Sequence, residues 1–229
     1  MNLDQFAAVI SGRLIVSCQA GPDHPLRDTP TIARMAESAV LGGACAIRCG
    51  GVGGLDDVRA VAAAVSVPII GLTKRGRTGV LITPTVDDAL AVIEAGATVV
   101  ATDGTRRTRP DGAPLSRTIE AVHAAGGLVM ADVSTETEGI AAAEAGADLI
   151  ATTLSGYTPD SPGRPGPDLA LVAALAAALP SGLIVAEGRY HEPAHVRAAR
   201  DAGATSVVVG TAITDPAWIT STFAAAVRR

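Results

Sequence analysis

Four times along the chain a small-residue triplet runs directly into a β-rich stretch: Gly42-Gly43-Ala44, Ala95-Gly96-Ala97, Ala145-Gly146-Ala147 and Ala202-Gly203-Ala204. The triplets begin at residues 42, 95, 145 and 202, at intervals of 53, 50 and 57. The glycines read as left-handed helix C-caps, and the run after each as a buried strand. Four more strands, entered through short turns, lie between them: Leu14 to Gln19, Pro68 to Lys74, Leu128 to Val133 and Leu183 to Gly188. Helical stretches such as Val86 to Glu94, Thr135 to Glu144 and Pro193 to Asp201 separate the strands, with Asp and Thr at their starts as caps. Eight strands alternating with helices in 229 residues predict an α/β fold, a single (β/α)8 TIM barrel over residues 1–229. An open doubly wound sheet is the competing arrangement, and the regular two-strand repeat favours closure.

Hydrophobic residues make up 48% of the chain but aromatics only 2%, so the core is built from Ala, Val, Ile and Leu. That suits parallel strands buried under small-residue helices. A net charge of −5 and the scarcity of stacking residues argue against a nucleic-acid partner. Cys18, Cys45 and Cys49 are odd in number and lack CxxC spacing, which fits reduced cytosolic thiols. Ile15-Val16-Ser17-Cys18 resembles a lipoprotein cleavage box, but no basic residue precedes it and Asp4 stands where a signal peptide wants positive charge. No apolar run approaches the roughly 20 residues of a membrane span. The expectation is a cytoplasmic protein without a membrane partner.

Chemistry in such barrels sits at the C-terminal strand ends. In order these are expected to carry Gln19, Arg48, Lys74, Asp103, Asp132, Thr152 with Thr153, Glu187, and Gly210-Thr211. Polar residues recurring at the same point of otherwise apolar runs predict one shared pocket. Lys74 is the most informative, being the only lysine among 18 basic residues. A lysine can lose its proton when burial lowers its pKa, and an arginine effectively cannot. Lys74 is therefore a candidate general base or Schiff-base amine; the structural alternative is a buried ion pair with Glu187.

Ten of the 18 basic residues (Arg27, Arg48, Lys74, Arg75, Arg77, Arg106, Arg107, Arg109, Arg164 and Arg189) fall at strand ends or just after them. They predict a positive mouth that draws in an anionic substrate, unless they cap helices or pair with Asp111 and Asp160. Gly188-Arg189 and Gly210-Thr211-Ala212 are small-residue turns able to hold a phosphate on backbone N–H groups. The loop from Ser155 to Pro167, with Pro159, Pro162, Pro165 and Pro167, reads as an active-site lid. His191 and His195 have i, i+4 spacing but flank Pro193 and lack a partner carboxylate, so no metal site is expected. His24 and His123 read as surface residues.

These motifs resemble the N-acetylmannosamine-6-phosphate 2-epimerase family over nearly the whole chain. Ser17-Cys18-Gln19-Ala20, Ala46-Ile47-Arg48, Ile70 to Arg75 and Ile82-Thr83-Pro84-Thr85 carry the resemblance in the first half. Arg109-Pro110-Asp111-Gly112, Met130 to Ser134, Thr152 to Thr158 and Ala186-Glu187-Gly188-Arg189 carry it in the second. The resemblance implies reversible interconversion of N-acetylmannosamine 6-phosphate and N-acetylglucosamine 6-phosphate in sialic-acid breakdown, without a metal or organic cofactor. It matches Lys74 and Glu187 to the catalytic lysine and glutamate, and Gln19, Arg48 and Asp132 to residues that hold the sugar. Thr153, Gly188, Arg189, Gly210 and Thr211 complete the expected substrate-binding set.

Inverting C2 requires removal of a weakly acidic proton beside the C1 aldehyde, stabilisation of the enolate by Arg48 or Lys74, and return of a proton to the opposite face. The division of roles between Lys74 and Glu187 is open. Two departures stand out: Asp215 replaces the arginine the family usually carries after strand 8, and Arg48-Cys49-Gly50-Gly51 replaces Arg-Ala-Asn. Either another cation, from Arg189, Arg164 or the Arg106–Arg109 cluster, grips the phosphate, or the substrate is another acylamino sugar, unphosphorylated ones included. A Schiff-base aldolase or lyase using Lys74, and a non-enzymatic sugar-phosphate binder, are the rival readings. The apolar C-terminal stretch with Trp218, Ile219 and Phe223 suggests a homodimer contact.

Overall fold

Gly43, Gly96, Gly146 and Gly203 all sit at φ of 100° to 104°, the left-handed region that a side chain resists. The residue after each glycine donates to the carbonyl five residues back, as in Ala44 to Ala39, Ala97 to Val92, Ala147 to Ala142 and Ala204 to Ala199. This Schellman closure ends the helix and turns the chain into the next strand. The repeat is thus a physical device, used at every second helix-to-strand junction.

The computed structural model describes residues 1–161, 163 and 165–227. Its strands are β1 (Leu14–Cys18), β2 (Ala46–Gly51), β3 (Ile69–Thr73), β4 (Val99–Asp103), β5 (Leu128–Asp132), β6 (Leu149–Ala151), β7 (Leu183–Glu187) and β8 (Ser206–Val209). All pairs are parallel, and β8 returns to β1 to close the barrel. The crossovers are α2 (Thr29–Leu41), α3 (Gly54–Ala64), α4 (Val86–Glu94), α5 (Leu115–Ala124), α6 (Glu136–Glu144), α7 (Leu169–Ala178) and α8 (Pro193–Asp201). Asp28, Thr85, Thr135 and Asp168 cap four of them through their side chains. Helix α1 (Leu3–Ile10) precedes the barrel, and α9 (Thr211–Thr214) and α10 (Pro216–Val227) follow it. The odd-numbered strands end one residue earlier than the sequence suggests, β2 runs past Arg48 to Gly51, and Thr152, Thr153 and Thr211 lie just beyond their strands.

Alternate residues of each strand face inward. Ile15, Ala46, Ile70, Leu72, Val99, Ala101, Leu128, Met130, Leu149, Ala151, Val185 and Val208 fill the interior together with Phe6 and Ile10 of α1. Helix α1 therefore plugs the N-terminal end and leaves the C-terminal end for the site. The opposite parity, such as Ile47, Val100, Val129, Ile150 and Val207, packs under the helices.

One joint in the barrel is irregular. Between β3 and β4 only Ile70↔Val99 and Gly71↔Val100 pair, although β2–β3 and β4–β5 continue to Gly51↔Thr73 and Asp103↔Asp132. The two strands part, and Ile82 and Thr83 of the following loop fill the gap. Thr83 N–H donates to the Thr73 carbonyl at 2.9 Å and Asp103 N–H to the Ile82 carbonyl at 3.0 Å.

Candidate active site

The period of two that fills the barrel also builds the site. Gln19, Arg48, Lys74, Asp103, Asp132, Thr153, Glu187 and Gly210 share inward parity with the core residues preceding them on their strands. Arg48 lies in the middle of β2, and its long side chain rises to the level of the strand ends. There Nη1 and Nη2 bond both oxygens of Asp132, at 2.9 and 2.6 Å, and Nη1 also reaches Glu187 at 2.7 Å. Thr153 Oγ1 stands 2.6 Å from Asp132 and 3.1 Å from Glu187. Its single hydroxyl proton can serve one of them at a time, and the shorter contact favours Asp132.

Arg48 and Asp132 are almost fully buried, and the Glu187 side chain keeps 13% of its surface exposed. The arginine and aspartate, expected to touch sugar directly, thus form a layer beneath the cavity floor. Burial alone would lower the Arg48 pKa, but its two carboxylate partners outweigh that and hold it protonated. Glu187 is pushed above the usual carboxylate value, first by burial and further by the nearby Asp132, against the pull of Arg48. A carboxyl held above its ordinary value gives up its proton less readily and is better suited to exchange protons with a substrate.

Lys74 follows β3 directly. Its backbone N–H donates to the Gly51 carbonyl at 2.9 Å, and it forms an antiparallel bridge with Ile82. Among the described residues it has no ion pair, since Arg48 takes Glu187; the buried Lys74–Glu187 pair is not formed. The side chain is open to the cavity, yet the walls remove enough water to lower its pKa, and the Arg48 charge lowers it further. In a closed eight-stranded barrel β3 and β7 are four strands apart in either direction, so Lys74 and Glu187 enter the cavity from opposite walls.

The cavity is about 590 Å³ and is lined by Gln19, Lys74, Thr153, Glu187, Gly188, Arg189, Gly210 and Thr211 among the expected residues. Gln19 donates from Nε2 to Ser17 Oγ at 2.9 Å. A side chain at Gly51, which sits at φ +60°, would overlap the Gln19 amide oxygen, so the glycine at 51 makes room for this neighbour. The backbone N–H groups of Gly188, Arg189, Gly210 and Thr211 have no protein partner among the described residues, which leaves them open to a ligand.

The positive mouth is partly cancelled; among the described residues Arg77 and Arg106 form no ion pair. Arg27 pairs with Asp57 at 2.7 Å, Arg75 with Asp88 at 2.9 Å and Arg107 with Asp103 at 2.6 Å. Arg109 is buried against carbonyls and a hydroxyl, and Asp111 accepts backbone N–H groups of Val86 and Ala113 rather than arginines. Each cation fixes a loop of its own protein. Among the described residues Arg189 bonds only uncharged oxygens, the carbonyls of Gly166 and Ser155 at 2.6 and 2.7 Å, and it covers the Tyr157 ring at 5.2 Å. These bonds, with Ser155 Oγ on Asp168 at 2.7 Å, pin the described part of the expected lid as a wall. Pro162 and Arg164 lie outside the described residues.

His24, read from sequence as a surface residue, lines the mouth and bonds Asp215 at 3.2 Å. Asp215 also caps α10 through the Trp218 N–H at 2.9 Å, and that bond is the first reason its pKa is lowered. His123 is a surface residue paired with Asp148. His191 stacks on Trp218 with centroids 4.4 Å apart, and no cluster of three metal-ligating side chains occurs among the described residues. Asp103, expected at the end of strand 4, and Arg107, expected in the positive mouth, also line the cavity. Inward parity was the available signal for Asp103, whereas its pairing with Arg107 has none.

Residues 32–229 match the family described as "Putative N-acetylmannosamine-6-phosphate epimerase". Proteins bearing the corresponding 2-epimerase name are similar throughout. One from Cutibacterium acnes is 49% identical over 227 residues, covering 98% of each chain. One from Corynebacterium glutamicum strain R is 48% identical over 217 residues, covering 95% of this chain and 94% of its own. The solved N-acetylmannosamine-6-phosphate 2-epimerase of Clostridium perfringens superposes with a TM-score of 0.91 at 39% identity, covering 96% of this chain and 95% of its own. The chain belongs to the N-acetylmannosamine-6-phosphate epimerase family.

Proposed function

We propose that the protein is a cytoplasmic epimerase that interconverts N-acetylmannosamine 6-phosphate and N-acetylglucosamine 6-phosphate by proton transfer at C2. The observation that carries the reading is the pair of proton-carrying side chains, Lys74 and Glu187, entering one cavity from opposite walls. A sugar carbon held between them presents one face to each. One residue takes the C2 proton, and the C–H electrons pass to the C1 oxygen as an enolate. The other residue returns a proton to the opposite face, and the roles exchange when the reaction runs backwards. The lowered Lys74 and raised Glu187 pKa values bring both groups towards neutrality, where proton transfer is effective in both directions.

Arg48, Asp132 and Thr153 set the position and protonation of Glu187, while Gln19 lines the sugar end. The free N–H groups of Gly188, Arg189, Gly210 and Thr211, with the uncompensated Arg189 charge, suit the phosphate. Asp215 is turned into the α10 cap and the His24 pair, which reconciles an acidic residue at this position with an anionic substrate. The protein acts as a homodimer in this reading, supported by α10: it is rich in apolar residues, has no buried residue and leaves Phe223 72% exposed.

Incubation with N-acetylmannosamine 6-phosphate in D2O tests the reading. The gluco epimer carrying deuterium at C2 is expected by NMR, and a folded protein giving neither exchange nor product refutes it.

A further inference from the structure

We propose that Arg109 is a positioning residue for Lys74, acting through the loop segment wedged between β3 and β4. The inference rests on the reading of Lys74 as a proton carrier. The wedge is conformationally unfavourable: Thr83 has φ +41°, a left-handed geometry found at only two non-glycine residues among those described. For a β-branched residue such a backbone persists only when its surroundings over-determine it.

Those surroundings are specific. Thr83 is fully buried; its N–H donates to the Thr73 carbonyl, and its Oγ1 accepts from the Thr73 N–H at 3.2 Å. Its carbonyl accepts from Thr102 Oγ1 at 3.0 Å and from Arg109 Nη2 at 3.0 Å. Nη2 also reaches Thr102 Oγ1 at 2.7 Å, and Nη1 grips the Asp103 carbonyl at 2.7 Å. Arg109 is 6% exposed, and its Nε is buried without a partner. Among the described residues no carboxylate lies within ion-pair distance of it. A buried guanidinium with no carboxylate in contact, only the more distant charges of Asp103 and Asp111, is costly to keep. What its rigid fork gains is a simultaneous hold on the end of β4 and the strained carbonyl.

The wedge reaches Lys74 directly. One side of the Lys74 backbone is tied to Gly51 on β2 and the other is bridged to Ile82, one residue before Thr83. Relaxation at Thr83 therefore moves the frame from which the ammonium enters the cavity. Arg109 is not among the cavity-lining residues and meets the wall only at the Asp103 carbonyl, so its loss is expected to act mainly on the placement of Lys74.

The test is steady-state epimerisation and C2 hydrogen exchange in Arg109→Lys, which keeps a cation but lacks the fork. Turnover is expected to fall about 10- to 100-fold, as for a misplacement approaching 1 Å, with KM near the wild-type value. Adding Thr83→Gly, which adopts positive φ freely, is expected to recover most of the lost kcat. A role confined to stability predicts no such recovery. Wild-type turnover in folded Arg109→Lys, or a loss that Thr83→Gly leaves in place, overturns the proposal. If Arg109→Lys does not fold, Thr102→Val removes two clamp bonds, to the Thr83 carbonyl and from Arg109 Nη2, with the charge intact, and is read by the same recovery. Lys74→Ala, measured alongside, separates the two readings. Activity retained there removes the proton-carrier role, whereas inactive Lys74→Ala beside fully active Arg109→Lys removes only the clamp.

Discussion

Replacing Asp132 by asparagine removes a charge from beneath the cavity floor while keeping the side chain's shape. Asp132 and Glu187 both accept from Nη1 of Arg48, at 2.9 and 2.7 Å. Their acceptor oxygens are therefore no more than about 5.6 Å apart, where two unit charges repel by roughly 3 kcal/mol at an effective dielectric of about 20. After burial, this repulsion is the force that holds Glu187 above its ordinary value. Its removal corresponds to a fall of about two pK units at that separation, and local rearrangement reduces that to about one to two. The assay is kcat/KM against pH. The limb that reports Glu187 moves to lower pH in Asp132→Asn: the ascending limb if the carboxylate is the required form, the descending limb if the acid is. Halving the counter-charge of buried Arg48 also destabilises the fold, by about 3–5 kcal/mol if the effect approaches that of removing a buried partner. The profile is therefore taken below the lowered unfolding temperature. A limb that stays in place, or moves up, in a folded variant refutes the electrostatic account of Glu187.

Lys74→Arg keeps the positive charge but cannot release its proton, so turnover is expected to fall by about 10²- to 10⁴-fold in the C2 exchange assay; a near-normal rate removes the general-base role. Asp215→Asn preserves the α10 cap and deletes a negative charge at the mouth. KM for the sugar phosphate is expected to fall about two- to fivefold at low ionic strength and to converge with wild type at high salt; an unchanged KM at low salt places Asp215 outside the phosphate's field. Phe223→Asp on α10 is expected to raise the dimer dissociation constant by at least about tenfold, as for loss of a buried aromatic anchor, read by sedimentation velocity across a concentration series; equal sedimentation of both proteins refutes the α10 contact. Gly43→Ala and Gly203→Ala impose the same φ of 100° on a side chain, but only at Gly203 does the new Cβ meet another atom, Ala176 Cβ at 2.7 Å. The first is expected to cost about 1 kcal/mol and the second more, by urea denaturation; equal costs would mean the neighbour yields freely.

What could be read from the amino acids followed the range of the interactions. The Gly-Ala triplets act on residues no more than five apart, so their spacing announced both the helix ends and the barrel. Inward parity is equally local, and it brings Lys74, Thr153 and Glu187 to one cavity and Asp132 to the layer beneath its floor. The ion pairs are another matter. Arg27 and Asp57 are 30 residues apart and His24 and Asp215 are 191 apart, so nothing in the sequence says that Arg27 is spent on a helix or that His24 belongs to the mouth. The wedge was hidden for a similar reason. Ile82-Thr83-Pro84 reads as a lead into α4, and only the parting of β3 from β4 gives it a second role.

The cancelled arginines sharpen the electrostatic argument instead of weakening it. Among the cavity-lining residues the lysine and arginines are Lys74, Arg107 and Arg189, and Arg107 is neutralised by Asp103. Among the described lining residues two basic side chains without carboxylate partners remain, one following β3 and the other beside the free N–H groups after β7. An open-chain amino-sugar phosphate becomes anionic at two places during epimerisation: permanently at the phosphate and transiently at the C1 oxygen. In the proposed reaction, in the direction in which Lys74 takes the C2 proton, it gains its positive charge as the enolate forms, so that attraction belongs to the transition state. Arg189 holds its charge throughout and acts on binding. Raised ionic strength should therefore increase KM, through Arg189 and the free phosphate, while leaving kcat nearly unchanged. A kcat that falls with salt as steeply as kcat/KM would refute this division of the two charges.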